Sequence, residues 1–145
     1  MAPSPRLRLA VLSDASRLPA MRHDVQRFLR LHAVDPEATD DVVMSVHEAC
    51  ANAVHHSKSR ADIVVELVLD GRSVKVAVSD SGCGLDLEQC HPLREPELLR
   101  LRGRGLYLMA KLMDEFEISI DGGTEIRMRK RLTEGGGRRD TLAKD

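Results

Sequence analysis

Hydrophobic periodicity predicts a two-layer α+β sandwich, a mixed, mostly antiparallel sheet with its helices gathered on one face. Three observations carry this reading. Apolar residues alternate with polar ones along short runs near the N-terminus, in mid-chain and near the C-terminus. Other stretches repeat apolar residues at helical spacing. The order along the chain is strand, two helices, hairpin, long polar segment, helix and hairpin.

In the first strand Leu7, Leu9 and Val11 alternate with Arg6, Arg8 and Ala10, and the strand is read as a sheet edge. Ser16 as N-cap and an early-turn Pro19 then open a helix whose Leu18, Met21, Val25, Phe28 and Leu29 recur at helical spacing, running to about Ala33. Asp35-Pro36 breaks the chain. A second helix, about Ala38 to His56, turns Val42, Val43, Val46, Ala49, Cys50, Ala53 and Val54 toward the core. Strands at Asp62 to Leu69 and Ser73 to Ser79 flank Asp70-Gly71, a dipeptide suited to a tight hairpin with positive φ at both central positions.

Between Asp80 and Arg102 lies a polar segment with Gly82, Gly84, Pro92 and Pro96. It exceeds the roughly 12–15 residues at which an irregular loop becomes unusual, and such loops are commonly functional lids. A third helix, about Gly105 to Met113, directs Leu106, Met109, Ala110 and Met113 inward. Phe116, Ile118 and Ile120 mark a strand, Asp121-Gly122-Gly123 a turn, and Thr124, Ile126 and Met128 the last strand. Residues 1–133 are thus expected to form a single domain. Residues 134–145, with three consecutive glycines and no apolar period, are expected to lack a fixed fold.

The chain has 145 residues, 42% of them hydrophobic, enough for one core. Its 22 basic and 23 acidic residues give a formal net charge of −1, so no global positive field draws it onto nucleic acid or an acidic membrane. Aromatic residues make up only 2%, which removes the stacking platforms of single-strand binders. Arg127, Arg129, Lys130 and Arg131 are read as a solvated strand edge. No run approaches the roughly 18 apolar residues of a spanning helix, and the N-terminus has no signal core, so a cytoplasmic location is expected. The three cysteines form no Cys-x-x-Cys pair. Cys83, Cys90 and His91 lack the further partners of a tetrahedral metal site and are read as unliganded. Val64 and Val68 are apolar on the sheet face opposite Ile63, Val65, Leu67 and Leu69, which suggests a covering partner and a homodimer.

Four features could carry chemistry. On the second helix Glu48, Asn52 and His55 share a stripe opposite the apolar set, a pattern that a solvated helix face would also produce. Asp80-Ser81-Gly82-Cys83-Gly84 begins where a buried strand ends, a place for a ligand loop or a plain turn. Arg102-Gly103-Arg104-Gly105 runs into a helix, where glycines admit close backbone approach and the helix N-terminus favours an anion. Gly122-Gly123-Thr124 is first of all a hairpin turn.

Together and in this order, over roughly Thr39 to Leu132, these features resemble the nucleotide site of the GHKL (Bergerat-fold, histidine-kinase-like) ATPase superfamily. Glu48-Ala49-Cys50-Ala51-Asn52-Ala53-Val54 followed by His55 and His56 is most similar to the anti-sigma-factor serine/threonine kinases of the RsbW and SpoIIAB type. The resemblance implies ATP and Mg²⁺ as cofactors. It gives Asn52 a carboxamide oxygen for Mg²⁺, a hard ion that prefers oxygen. Asp80 would accept from the adenine amino group, Gly82 and Gly84 would admit the base against backbone, and Thr124 would help hold the Asp80 end. Gly103, Arg104 and Gly105 would wrap the phosphates, and Glu48 would be the catalytic carboxylate that takes the proton of an incoming serine hydroxyl. Arg22 falls where these kinases use a basic residue to contact partners, with a solvated helix face as the plain alternative. The implied partners are a sigma factor and an anti-anti-sigma (STAS-type) protein, with no direct nucleic acid and no membrane.

Two other readings are weighed. One is a nucleotide-binding switch that sequesters a partner without catalysis, against which the intact Glu48 argues. The other is an excised sensor histidine kinase catalytic domain, a group that usually shows Asn four residues before the magnesium Asn. This chain also lacks a preceding helix pair with a phosphoacceptor histidine.

Overall fold

The computed structural model describes residues 3–56, 62–80, 105–120 and 123–133. Strand β1 (Arg6–Val11) leads into a short 3-10 turn (Ala15–Arg17) and helices α1 (Leu18–Leu31) and α2 (Pro36–His56). Strands β2 (Ile63–Leu69) and β3 (Ser73–Asp80) follow, then helix α3 over 105–112, β4 (Glu115–Ile120) and β5 (Thr124–Arg131). The sheet order is β1-β2-β3-β5-β4, and every pairing is antiparallel among the described residues, so the sheet is not mixed there.

Period-two burial explains the layering. Ile63, Val65, Leu67 and Leu69 of β2, Val74, Val76 and Val78 of β3, and Ile126 and Met128 of β5 are buried on one face. Against them pack Met21, Val25 and Leu29 from α1, Val42, Val46, Ala49, Cys50 and Ala53 from α2, and Leu106 and Met109 from α3. Each of the buried Val, Leu, Ile and Met side chains contributes about 1.5–3 kcal/mol by leaving water. α2 lies over β2, β3 and β5 at the middle of the sheet, and α1 lies over β1 at its edge.

Local chemistry shifts several boundaries from their expected places. Ser16 does not cap α1: it lies inside the 3-10 turn before it, which Asp14 caps, its Oδ1 accepting from Ser16 N at 2.9 Å and from Ser16 Oγ at 3.0 Å, while α1 itself starts after Arg17 with no side-chain cap. Pro36 does not precede α2 but opens it, since a proline at the first helical position loses no hydrogen bond. Asp35 Oδ2 accepts from Ala38 N at 3.1 Å as the cap. The β2–β3 turn has positive φ only at Gly71 (92°): Leu69 pairs with Val74 and Asp70 N donates to Ser73 O at 3.1 Å, so Gly71 and Arg72, not Asp70 and Gly71, are its central residues. Asp70 Oδ1 closes that loop by accepting from Arg72 N at 3.2 Å and Ser73 N at 2.8 Å. Ala110 points to solvent rather than inward, one helical step beyond the buried Met109.

The opposite sheet face is mostly charged. Arg8, Glu66, Lys75, Arg127 and Glu117 project from it, while Val64 and Val68 are half-buried among them. β5 is an interior strand, so its basic run is not a solvated edge. Arg129 Nε donates to the buried Ser73 Oγ at 3.0 Å, and Lys130 is ion-paired to Asp41. Among the described residues no helix is long and apolar enough to cross a membrane. The lid segment 81–104 and the tail 134–145 lie outside the described residues.

Candidate functional site

The site grows from the polar stripe of α2. Ala49, Cys50 and Ala53 bury the opposite side of this helix, which fixes its rotation and leaves Glu48 and Asn52, one turn apart, on the flank toward α3. They are half-buried there, not on a solvated face. Gly105, buried in α3, lies directly against them: a Cβ added to it would stand 2.9 Å from Glu48 Oε1, 3.5 Å from Asn52 Nδ2 and 3.7 Å from Asn52 Oδ1. Only glycine fills that position without displacing the carboxylate.

Asn52 Nδ2 is buried and has no hydrogen-bond partner among the described residues. A buried amide normally finds partners, and an orphan marks a place where a ligand or ion completes the set. A half-turn of the carboxamide exchanges Nδ2 for Oδ1, so the same position can present a hard oxygen donor. Glu48 and Asn52 therefore offer oxygen ligands beside a glycine cradle, a donor set that suits Mg²⁺ and phosphate. Groups of three or more His, Cys, Asp or Glu that would hold a metal without phosphate do not occur among the described residues.

A second pair comes from the sheet. Asp80 ends β3, and Thr124 opens β5 directly opposite it, with their Cα atoms in register. Both are half-buried. A carboxylate and a hydroxyl on adjacent strands can jointly bind a donor-bearing edge such as an amino group of a purine. Gly82, Gly84, Gly103 and Arg104 lie outside the described residues, as do Cys83, Cys90 and His91.

Arg22 is not a free cation on a solvated helix face. Its Nη1 lies 3.0 Å from His47 Nδ1, and because a guanidinium only donates, Nδ1 accepts and the ring proton sits on Nε2. α1 is thus tied to α2 one residue before Glu48, a link that nothing in the separate helix patterns announced. His55, third on the expected stripe, is exposed. Cys50 is wholly buried, and desolvation pushes its thiol up to about 12, so it is no nucleophile.

A concavity of about 710 Å³ opens elsewhere, on the outer sheet face between Arg6, Glu66, Lys75, Glu117 and Arg127. None of the residues singled out for nucleotide chemistry lines it.

Residues 11–130 match the family described as "Histidine kinase-like ATPase domain". The chain is similar to "Serine-protein kinase RsbW" of Listeria monocytogenes serotype 4a (strain HCC23), 32% identical over 108 residues that span 68% of this chain and 69% of that protein. It is similar also to RsbW of Bacillus velezensis, 31% identical over 103 residues and 64% of each chain. Among solved structures it resembles the RsbU and RsbW domains of a Mycobacterium tuberculosis protein, with a TM-score of 0.69. That likeness, at 24% identity, covers 90% of this chain and 33% of the other, and is one of fold.

Proposed function

Because the chain belongs to the histidine kinase-like ATPase family, in its RsbW-type branch, we propose that it is an ATP-dependent protein serine/threonine kinase and anti-sigma factor. In this reading it phosphorylates a small anti-anti-sigma (STAS-type) protein and binds a sigma factor. The observation that carries it is the convergence of Glu48, Asn52 and Gly105, a carboxylate, a carboxamide and a bare backbone at one point.

Each residue takes the part that the family resemblance implies and its chemistry allows. Asp80 accepts from the adenine amino group, with Thr124 across the strand pair beside it. Gly82 and Gly84 admit the base, and Gly103, Arg104 and Gly105 hold the phosphates with N–H groups and one cation. Asn52 is the residue for Mg²⁺, which when bound neutralises phosphate charge. Glu48 takes the proton of the serine hydroxyl as its oxygen bonds to the γ-phosphorus and the bond to the bridging oxygen breaks, releasing ADP. Arg22, held by His47, presents its remaining N–H groups to a protein partner.

A homodimer fits the outer sheet face. With β3 central, a two-fold axis along it sets β1 of one copy over β4 of the other. Arg8 then faces Glu117, and Glu66 faces Arg127. An axis across the strands would instead oppose like charges on β1, β4 and β5.

The test is calorimetric titration with ATP and ADP, with and without Mg²⁺, followed by transfer to STAS-type domains. Binding should vanish in Asp80→Ala and lose its Mg²⁺ dependence in Asn52→Ala. Glu48→Gln should bind ATP yet form no phosphoserine. Transfer by Glu48→Gln at the wild-type rate would remove the carboxylate from the mechanism, and wild-type protein that binds ATP without turnover would leave a sequestering switch.

A further inference from the structure

Lys130 is the one cation of β5 whose position shares the helix-facing side with Ile126 and Met128. Its ammonium has two partners: Asp41 Oδ2 of α2 at 2.9 Å and the carbonyl oxygen of Leu112 at 2.8 Å. Leu112 is the last helical residue of α3. Carbonyls at a helix C-terminus lack intrahelical partners and carry the negative end of the helix dipole, so a half-buried ammonium there is doubly favoured. The side chains of Lys130 and Asp41 are only 19% and 23% exposed, so solvent screens the pair less than the surface ion pairs of the outer face.

The two ends of α3 meet two points on one stripe of α2. Asp41, Glu48 and Asn52 are spaced by seven and four residues, which places them on a common face. Gly105 touches Glu48 and Asn52, and Leu112 reaches Asp41 through Lys130. Seven residues separate the contacts on α3 and seven separate Asp41 from Glu48, about 10 Å along each helix. The helices therefore run antiparallel, fastened at both ends, with Leu106 and Met109 buried beneath α3.

We infer that Lys130 is a positioning residue for the nucleotide site: by clamping the far end of α3 to Asp41 it sets how Gly105, at the near end, meets Glu48 and Asn52. The consequence for nucleotide rests on the function proposed above; the clamp does not. Losing the clamp frees α3 to slide or tilt, and the error is largest at the phosphate end. The adenine end, built by Asp80 and Thr124 on the sheet, is untouched.

The experiment has two arms, with Lys130→Met, Lys130→Arg and Asp41→Asn beside the wild type. Hydrogen exchange over residues 105–112, without nucleotide, reads the clamp. Exchange should quicken at least about tenfold in Lys130→Met and in Asp41→Asn and be largely restored in Lys130→Arg, while α1 and β2 keep their protection. Titration with ATP and with adenosine reads the consequence: ATP affinity should fall about tenfold in Lys130→Met and adenosine affinity should not change. Unaltered exchange at 105–112, or equal weakening of ATP and adenosine, would overturn the inference. Wild-type protein that binds neither ligand would strike the nucleotide reading and with it the positioning role, whereas the exchange arm decides the clamp by itself.

Discussion

Gly105 packs so closely on Glu48 that a methyl group on the glycine would stand 2.9 Å from Oε1. The atom it would meet is the end of a flexible side chain, so the fold can absorb the change by swinging Glu48 aside. Where φ is negative, as at Gly105, replacing glycine by alanine also stabilises by roughly 0.4–1 kcal/mol, because the unfolded chain loses freedom. Stability and phosphoryl transfer should consequently part company in Gly105→Ala.

The expected outcome for Gly105→Ala is a melting temperature equal to or above the wild type and a fall in transfer rate of at least about tenfold, near 1.4 kcal/mol in the barrier. Thermal melts and single-turnover phosphorylation, run side by side, check it. A variant that melts lower and transfers normally would mean that the close approach serves packing alone.

Ser45 is wholly buried on α2, and its Oγ has no hydrogen-bond partner among the described residues. An unsatisfied buried hydroxyl costs about 1–3 kcal/mol, and alanine fills nearly the same space while favouring the helix. Ser45→Ala should therefore stabilise the fold by about 1 kcal/mol, read as a shift in denaturant midpoint at unchanged slope. Destabilisation would mean that the hydroxyl has found a bonding partner.

Ala33 links α1 to α2 with φ of 62°, in the left-handed region that a Cβ disfavours. The turn is held by Val34 N donating to Leu29 O at 3.0 Å and by Ala33 N donating to Arg30 O at 3.1 Å. Glycine relieves the strain but is freer when unfolded, so the net gain is the difference between the two effects. Ala33→Gly should raise stability by up to about 1 kcal/mol, measurable in the same urea titration.

What could be read from the sequence follows from how local each feature is. Glu48 and Asn52 lie one turn apart, so helical periodicity alone placed them together, and Asp80 and Thr124 sit at strand ends that glycines flank in the sequence. Their contact with Gly105 is tertiary, and so is the tie of Arg22 to His47; helix faces give no sign of which neighbour a long cation will reach. Lys130 is the clearest case. Its neighbours Arg127, Arg129 and Arg131 are also basic, and the run reads as solvent-facing until strand parity and the position of α2 send Lys130 inward. Asp14 and Ser16 are both good caps two residues apart, and backbone geometry, not residue type, selected the aspartate.

Asp70 gives the fold a pH dependence of known sign. Desolvation, the largest single influence, raises its carboxyl, but hydrogen bonds from the Ser73 hydroxyl, Ser73 N–H and Arg72 N–H, with the charge of Lys75, together outweigh it and hold the group below its ordinary 3.8. A carboxylate depressed in the folded state contributes stability that is present above the unfolded value and is lost as pH falls through the folded one. Wild-type stability should thus decline as pH drops below about 4, the range where an unfolded aspartate takes up its proton. The group is largely exposed, so solvent screening keeps the effect modest. Asp70→Asn should be less stable than wild type at pH 7 and lose less on acidification, so that the two unfolding curves converge toward pH 3. Parallel curves from pH 7 to pH 3 would show that the β2–β3 turn gains nothing from the charge of Asp70.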